Sequence, residues 1–353
     1  MHSFVTGGTG FLGSTLTRRL VDAGDDVTVL VRSREKADRV LAGLDIDVVE
    51  GDLTDVAGFT DELDGVDRLF HTAAYFREYF GTGEHWPRLR AVNVDGTRDL
   101  LVACEAAGVD AFVHTSSSGT IGRKSDRSPG DETTPPGALA WQNGYLRSKL
   151  LADATVEGFL AGSDGEMRVV TVFPGILVGP GDHSRTPGTE LVREALTGDL
   201  PATFDGGSDF ADVRDVADGM IRASERAARG ERYVLSGGYA SLESVVERVA
   251  AMSDRDAPRL LPYPVVYAAA VAAEKWAELT GGETLLTRAG VATLRARFAV
   301  DASKAREELD VEFRPLSASL RDTAEWFVAE GHAPGVELAS AGTEPIEIRT
   351  RAN

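Results

Sequence analysis

Residues 5–13 read VTGGTGFLG, strand-forming residues that stop in closely spaced glycines and pass at once into a helical pattern. In such a turn Gly7 permits the tight reversal, Gly10 removes the Cβ that would hold a ligand away, and Gly13 lets the helix pack on the strand. The helix then offers free N–H groups and the positive end of its dipole to an anion. A strand, a glycine turn and a helix in this order predict a phosphate cradle at the edge of a parallel sheet.

The alternation continues outward from there. Strands are predicted at 2–7, 26–32, 46–52, 67–74, 111–117 and 168–175, and helices at 14–24, 97–108 and 145–160. Buried strands separated by helices specify a parallel sheet covered on both faces. Past Pro174 a proline- and glycine-rich stretch leads to a short helix at 190–198, and a helix at 212–227 and a strand at 232–238 return to the sheet. From Ser241 helices dominate, including an apolar one at 265–279 expected to pack on its own domain. The predicted fold is α/β, a Rossmann-type doubly wound parallel sheet over 1–175 and roughly 207–238. A smaller, mostly helical C-terminal substrate domain is expected over roughly 176–206 and 239–334, followed by a flexible tail over 335–353.

Fifty-six acidic residues against 37 basic ones give a net charge of −19, and only Lys36, Lys124, Lys149, Lys275 and Lys304 are lysines. So acidic a surface repels nucleic acid and anionic membrane. Carboxylates in excess, with arginine in place of lysine, point to a halophilic source whose salt screens the self-repulsion. No apolar run has membrane-spanning length, and a strand beginning at residue 2 leaves no room for a leader, so a cytoplasmic protein is expected. Cys104 stands alone in LLVACEAAG and reads as a small core residue of a helix. The six histidines show no metal-ligand spacing, and no metal is expected.

Two further stretches carry chemistry. In WQNGYLRSKLLAD, Tyr145 and Lys149 are four apart on a predicted helix and share a face, where an ammonium favours the phenolate and brings proton transfer towards neutral pH. In FVHTSSSGTIG a strand ends in three serines at the sheet edge where ligands of open α/β folds bind. A hydroxyl there is placed to hydrogen-bond a substrate oxygen as charge develops on it.

These pieces, in this order and spacing, resemble the extended short-chain dehydrogenase/reductases to about residue 332. TGGTGFLG is similar to that family's glycine fingerprint, TAA after strand four to its cofactor-lining turn, NVDGT to its central helix and YLRSK to its active-site helix. FADVRDVADG and DASKAREELDVEFRPLSASLRDTAEWF are similar to its C-terminal elements. Within the family the chain is most similar to dihydroflavonol reductases and hopanoid-associated sugar epimerases. The resemblance implies an enzyme in which Tyr145 is the general acid/base and Lys149 lowers its pKa and holds the nicotinamide ribose. It implies that Ser117 polarises the carbonyl, with Ser116 and Ser118 as neighbouring registers, and that Asn93 supports a proton path to the lysine. The same resemblance places Gly7, Thr9, Gly10, Phe11, Leu12, Gly13, Asp52, Leu53, Thr72, Ala73, Ala74 and Pro174 around the cofactor, and suggests a homodimer.

Arg32 ends the second strand, with Arg34 and Lys36 just beyond. An acidic residue there would accept bonds from both ribose hydroxyls, whereas a guanidinium suits a 2′-phosphate, so NADP(H) is favoured, with NAD(H) the alternative. No Asp-Glu pair follows Ser117, which argues against a dehydratase, and Ile176–Pro180 stands where nucleotide-sugar enzymes tend to carry a polar grip. Tyr75, Phe76, Tyr79, Phe80 and Trp86 cluster after strand four, placed either to stack on substrate or to pack the loop. The expected activity is a reductase or dehydrogenase for a small, fairly apolar carbonyl or secondary alcohol. A nucleotide-sugar epimerase using the same three residues is the alternative; an inactive nucleotide sensor is disfavoured because all three are present.

Overall fold

The computed structural model describes residues 1–76, 85–282, 284, 286–297 and 299–339. In chain order the first half contains β1 (His2–Thr6), α1 (Phe11–Asp22), β2 (Asp26–Val31), α2 (Arg34–Val40), β3 (Asp47–Glu50), β4 (Arg68–His71) and α3 (Trp86–Leu89). A π-helical turn, Arg90–Asp95, runs into α4 (Gly96–Ala107), followed by β5 (Ala111–Thr115), α5 (Ala138–Gln142), α6 (Gly144–Gly162) and β6 (Arg168–Pro174). Then come β7 (Ile176–Val178), α7 (Pro187–Thr197), β8 (Ala202–Phe204), β9 (Gly207–Asp212), α8 (Val213–Arg226), β10 (Arg232–Leu235), β11 (Gly238–Ser241) and α9 (Leu242–Ala251). The described chain ends through β12 (Arg259–Leu261), α10 (Tyr263–Thr280), α11 (Arg288–Arg295), α12 (Ser303–Glu308) and α13 (Leu316–Ala329).

Seven parallel strands form the main sheet in the order β10-β6-β5-β4-β1-β2-β3. From β1 the chain winds outward to β2 and β3, then returns to β4 and winds the other way. That reversal opens a crevice between the carboxyl ends of β1 and β4, the place where open α/β sheets bind ligands. Side-chain alternation supplies both faces. Phe4 packs with Leu100 and Cys104 of α4 and Val156 of α6, whereas Val5 packs with Leu16 and Leu20 of α1 and Met220 of α8. Cys104 is fully buried, as its helical setting predicts.

Helix α1 starts at Phe11, three residues earlier than its polar periodicity suggests, because Phe11 and Leu12 are both buried against the sheet. The early start is possible only because Gly13 has no side chain: a Cβ there would lie 2.3 Å from the Gly7 carbonyl oxygen.

Beyond the main sheet, β7, β9 and β11 form a three-stranded sheet, and β8 pairs with β12. The core under the three-stranded sheet is built from Val178, Val192, Val245, Val249, Leu320 and Phe327. The stretch from Gly335, read above as tail, is docked as far as Ala339. Val336 and Leu338 pack on this core, and the Ala339 N–H donates to the Met252 carbonyl at 2.8 Å. Helix α10 does pack on its neighbours, but by a narrow stripe of Val266, Ala270 and Ala277; Trp276 and Leu279 on its other faces are exposed. Among the described residues no helix is long and apolar enough to cross a membrane.

Gly13→Ala is expected to lower unfolding free energy by about 1–3 kcal/mol, since backbone must shift to admit the methyl group. Urea titration followed by circular dichroism measures it, and an unchanged midpoint would contradict the close approach of Gly7 and Gly13.

Candidate active site

The glycine turn and the turn after β4 are fastened to each other. Thr72 Oγ1 donates to the Thr6 carbonyl at 2.7 Å, and the Ala73 N–H lies 3.3 Å from Thr6 Oγ1. Gly7 has φ +73°, and a Cβ on it would come within 2.7 Å of Ala73 Cα, so glycine is required on both counts. Thr9 and Gly10 are half-buried, and among the described residues the sole close neighbour of a Cβ on Gly10 would be the Gly7 carbonyl at 3.2 Å. The first turn of α1 has no acidic residue and no side-chain cap. Its N–H groups have no intrahelical acceptor and suit an anion. The side chains of Phe11 and Leu12 belong to the core, so only their backbone faces the turn.

Arg32 is exposed at the end of β2 and, among the described residues, makes no ion pair. Lys36, half-buried in α2, has its pKa lowered first by burial and then by Arg32 and Arg39, and its Nζ lies 3.4 Å from Ser184 Oγ. Positive charge is thus concentrated at the end of β2 on a strongly acidic protein, with Asp182 opposing it at Lys36. Asp52 accepts from the Thr54 N–H and hydroxyl and pairs with Arg88 at 3.3 Å. Burial works to raise its pKa, but those bonds, with Arg88 and Arg32, prevail and hold it low. Leu53 and Pro174 are buried, and Ala74 is half-buried.

Helix α6 is capped by Asn143, whose Oδ1 accepts from the Leu146 N–H at 3.0 Å. That cap sets Tyr145 and Lys149 on the first two turns. Lys149 is 4% exposed and donates to the Thr115 carbonyl at the end of β5 at 2.8 Å, with its Nζ 6.0 Å from the Tyr145 ring centre. Burial pulls its pKa from 10.5 to about 8, against the opposing field of Asp153. Tyr145 is half-buried, and Phe76 meets it edge-on with ring centres 4.5 Å apart.

The three serines differ. Ser116 is buried and donates to Asp153 Oδ2 at 2.7 Å, and Ser118 is buried in a short helical turn. Ser117 is half-exposed, its Oγ accepting from the Gly119 N–H at 3.2 Å and leaving the hydroxyl proton for another partner.

Asn93 is a buried amide with three bonds. Its Oδ1 accepts from the Tyr75 N–H at 2.7 Å, and its Nδ2 donates to the Tyr75 carbonyl at 3.0 Å and Ser148 Oγ at 2.9 Å. It thereby holds the backbone that presents Phe76 to Tyr145. Within the described residues these bonds do not run to Lys149. The aromatic cluster divides: Trp86 stacks under Arg147, 4.3 Å away, on a face of α6 different from that of Tyr145. Tyr79 and Phe80 lie outside the described residues.

Four residues escape a sequence reading: His71, His114, Ser148 and Asp153. His71 Nδ1 lies 2.8 Å from Thr6 Oγ1 and Nε2 lies 3.0 Å from Thr97 Oγ1, which donates to the Asn93 carbonyl at 2.7 Å. Ser148 Oγ donates to the Tyr145 carbonyl at 2.7 Å. Hydrogen-bond consistency assigns His71 as neutral with its proton on Nε2. Burial, then His114 and Lys149, lower its pKa in agreement. A continuous set of bonds therefore joins the glycine turn, through Asn93, to the start of α6. The available signal was spacing alone, Asp153 being four residues past Lys149.

The sequence profile of the NAD dependent epimerase/dehydratase family matches residues 3–236. The chain belongs to this family. Membership makes it an NAD(P)-dependent enzyme of the extended short-chain dehydrogenase/reductase type. The epimerase/dehydratase-family chain is 33% identical over 334 residues to a Synechocystis protein provisionally named dihydroflavonol 4-reductase, covering 93% of this chain and 95% of that one. It is 29% identical over 338 residues to sterol demethylase protein B of Methylococcus capsulatus, covering 94% and 99%. The crystal structure of gox2253 superposes with a TM-score of 0.78 at 31% identity, covering 93% of this chain and 98% of that one.

Lys149 leaves a mark on stability. Between about pH 8 and 10.5 the unfolded chain binds more protons at this position than the native chain does, so stability rises with pH there. The contribution reaches about 3 kcal/mol. Urea unfolding at pH 7.5, 9 and 10 is expected to show this slope in the wild type and to lose it in Lys149→Met; equal slopes would show that folding does not depress the Lys149 pKa.

Proposed function

We propose that the protein is an NADP(H)-dependent oxidoreductase acting on the carbonyl or secondary alcohol of a small, fairly apolar substrate. The observation that carries this reading is the anchoring of Lys149 to the Thr115 carbonyl beside Tyr145, with Ser117 the accessible hydroxyl of its turn. The bound nicotinamide supplies or accepts the hydride. In the reducing direction Tyr145 gives its phenolic proton to the substrate oxygen, and in the oxidising direction it takes that proton back. The Lys149 ammonium stabilises the phenolate left behind. Ser117 donates to the same oxygen and orients the carbonyl. Asn93 serves as a positioning residue, through Tyr75 and Ser148, in place of the proton path implied by resemblance.

The glycine cradle and the open N-terminus of α1 suit the pyrophosphate, and Arg32 with Lys36 suits a 2′-phosphate. Phe76 against Tyr145, and Ile176 and Leu177 after β6, favour an apolar substrate, in keeping with relatives named for a dihydroflavonol and a sterol. The family's name also includes epimerases, and the same three residues would serve a nucleotide-sugar epimerase with NAD that is never released.

Mass analysis of nucleotide freed by denaturing the purified protein separates the two: retained NAD(H) favours the epimerase, an empty site with preference for NADPH the reductase. Tyr145→Phe is expected to abolish turnover with nucleotide affinity within about twofold, since the phenol oxygen makes one modest bond at most to the nucleotide. Arg32→Ala is expected to weaken NADPH binding about 10–100-fold and to leave NADH binding nearly unchanged. Fluorescence titration measures both, and equal losses for the two nucleotides would refute the 2′-phosphate role.

A further inference from the structure

We infer that Asp153 is a positioning residue of the site, whose carboxylate is the counter-charge that keeps Lys149 an ammonium and ties the serine turn to α6. This rests on the catalytic reading of Tyr145 and Lys149.

Asp153 lies one turn beyond Lys149 on α6, and residues four apart share a helix face. It is 7% exposed. Both of its oxygens are engaged with β5 and its following turn: Oδ2 accepts from Ser116 Oγ at 2.7 Å, and His114 Nε2 lies 3.2 Å from Oδ1. Ser116 precedes Ser117, and His114 precedes Thr115, whose carbonyl holds Lys149. One carboxylate thus contacts the strand end on both sides of the lysine's acceptor.

Among the described residues the other groups facing Lys149 supply no negative charge. From β4 comes His71 and from β5 His114, whose pKa values burial lowers, so both are neutral near pH 7; from α6 comes the Tyr145 ring. His114 Nδ1 has no hydrogen-bond partner among the described residues, consistent with Nε2–H donating to Asp153. A buried ammonium without a counter-charge is costly and tends to lose its proton. The carboxylate opposes that loss.

The test uses the full chain with lysine labelled with carbon-13 at Cε, in which five lysines give five resolvable signals and Lys149→Met assigns one. In Asp153→Asn, which keeps the shape and one of the two acceptors but not the charge, the Lys149 midpoint is expected to fall by about one pH unit or more, with the other four unmoved. Asp153→Glu is expected to restore it. Ser116→Ala, which breaks the tie but keeps the charge, is expected to leave it near the wild-type value. An unmoved midpoint in folded Asp153→Asn, or an equal fall in Ser116→Ala, would overturn the inference. Should Asp153→Asn not fold, Asp153→Ser decides: it also removes the charge, the Lys149 midpoint is expected to fall there as well, and an unmoved midpoint overturns the inference. Turnover surviving in Tyr145→Phe would instead overturn the catalytic reading and leave the lysine titration standing.

Discussion

The site depends on one buried hydrogen bond, from the Lys149 ammonium to the Thr115 carbonyl. A charged group in that position is unfavourable unless its surroundings answer it. The helix carrying it must therefore start at a defined residue, which the Asn143 cap ensures, and lie at a defined distance from the end of β5, which Ser116 and Asp153 ensure. Tyr145 inherits its position from the same helix. Shift α6 by one residue and the phenol, the ammonium and the carboxylate would all leave their partners together.

The nucleotide side is built differently, from absence of side chains instead of from polar partners. Gly7 and Gly13 permit backbone approaches that a methyl group would block. The two halves meet through Thr6, His71, Thr97 and Asn93, each donor finding one acceptor. Such a set has little tolerance for disorder, because one reversed member leaves two buried groups unsatisfied. It ties the geometry of the cradle to that of the tyrosine helix without a direct contact between them.

Much of this was legible in the sequence because the signals are local. The glycine turn, the alternating strands, the Tyr145–Lys149 spacing and the burial of Cys104 each depend on residues within a few positions of one another. What was not legible depends on distant partners. His71 and His114 read as ordinary strand residues until β4 and β5 are adjacent and their rings lie 5.8 Å apart. The π-helical turn gives no compositional sign, yet it decides where the Asn93 amide points. Gly335–Ala339 looked structureless for lack of periodicity, but two apolar side chains and one backbone bond suffice to dock it. Trp86 was grouped with Phe76 by proximity in sequence, whereas helix geometry sends it to the outer side of α6.

Cys104 has a practical consequence. It is the sole thiol of the chain, it is fully buried, and burial pushes its pKa well above the ordinary range. Thiol-directed reagents near neutral pH therefore meet no accessible native target while the protein is folded. A single cysteine introduced at an exposed position such as Leu279 would be the one site to take up a fluorophore or spin label. The same buried thiol, silent in the native state, reports unfolding when it becomes reactive.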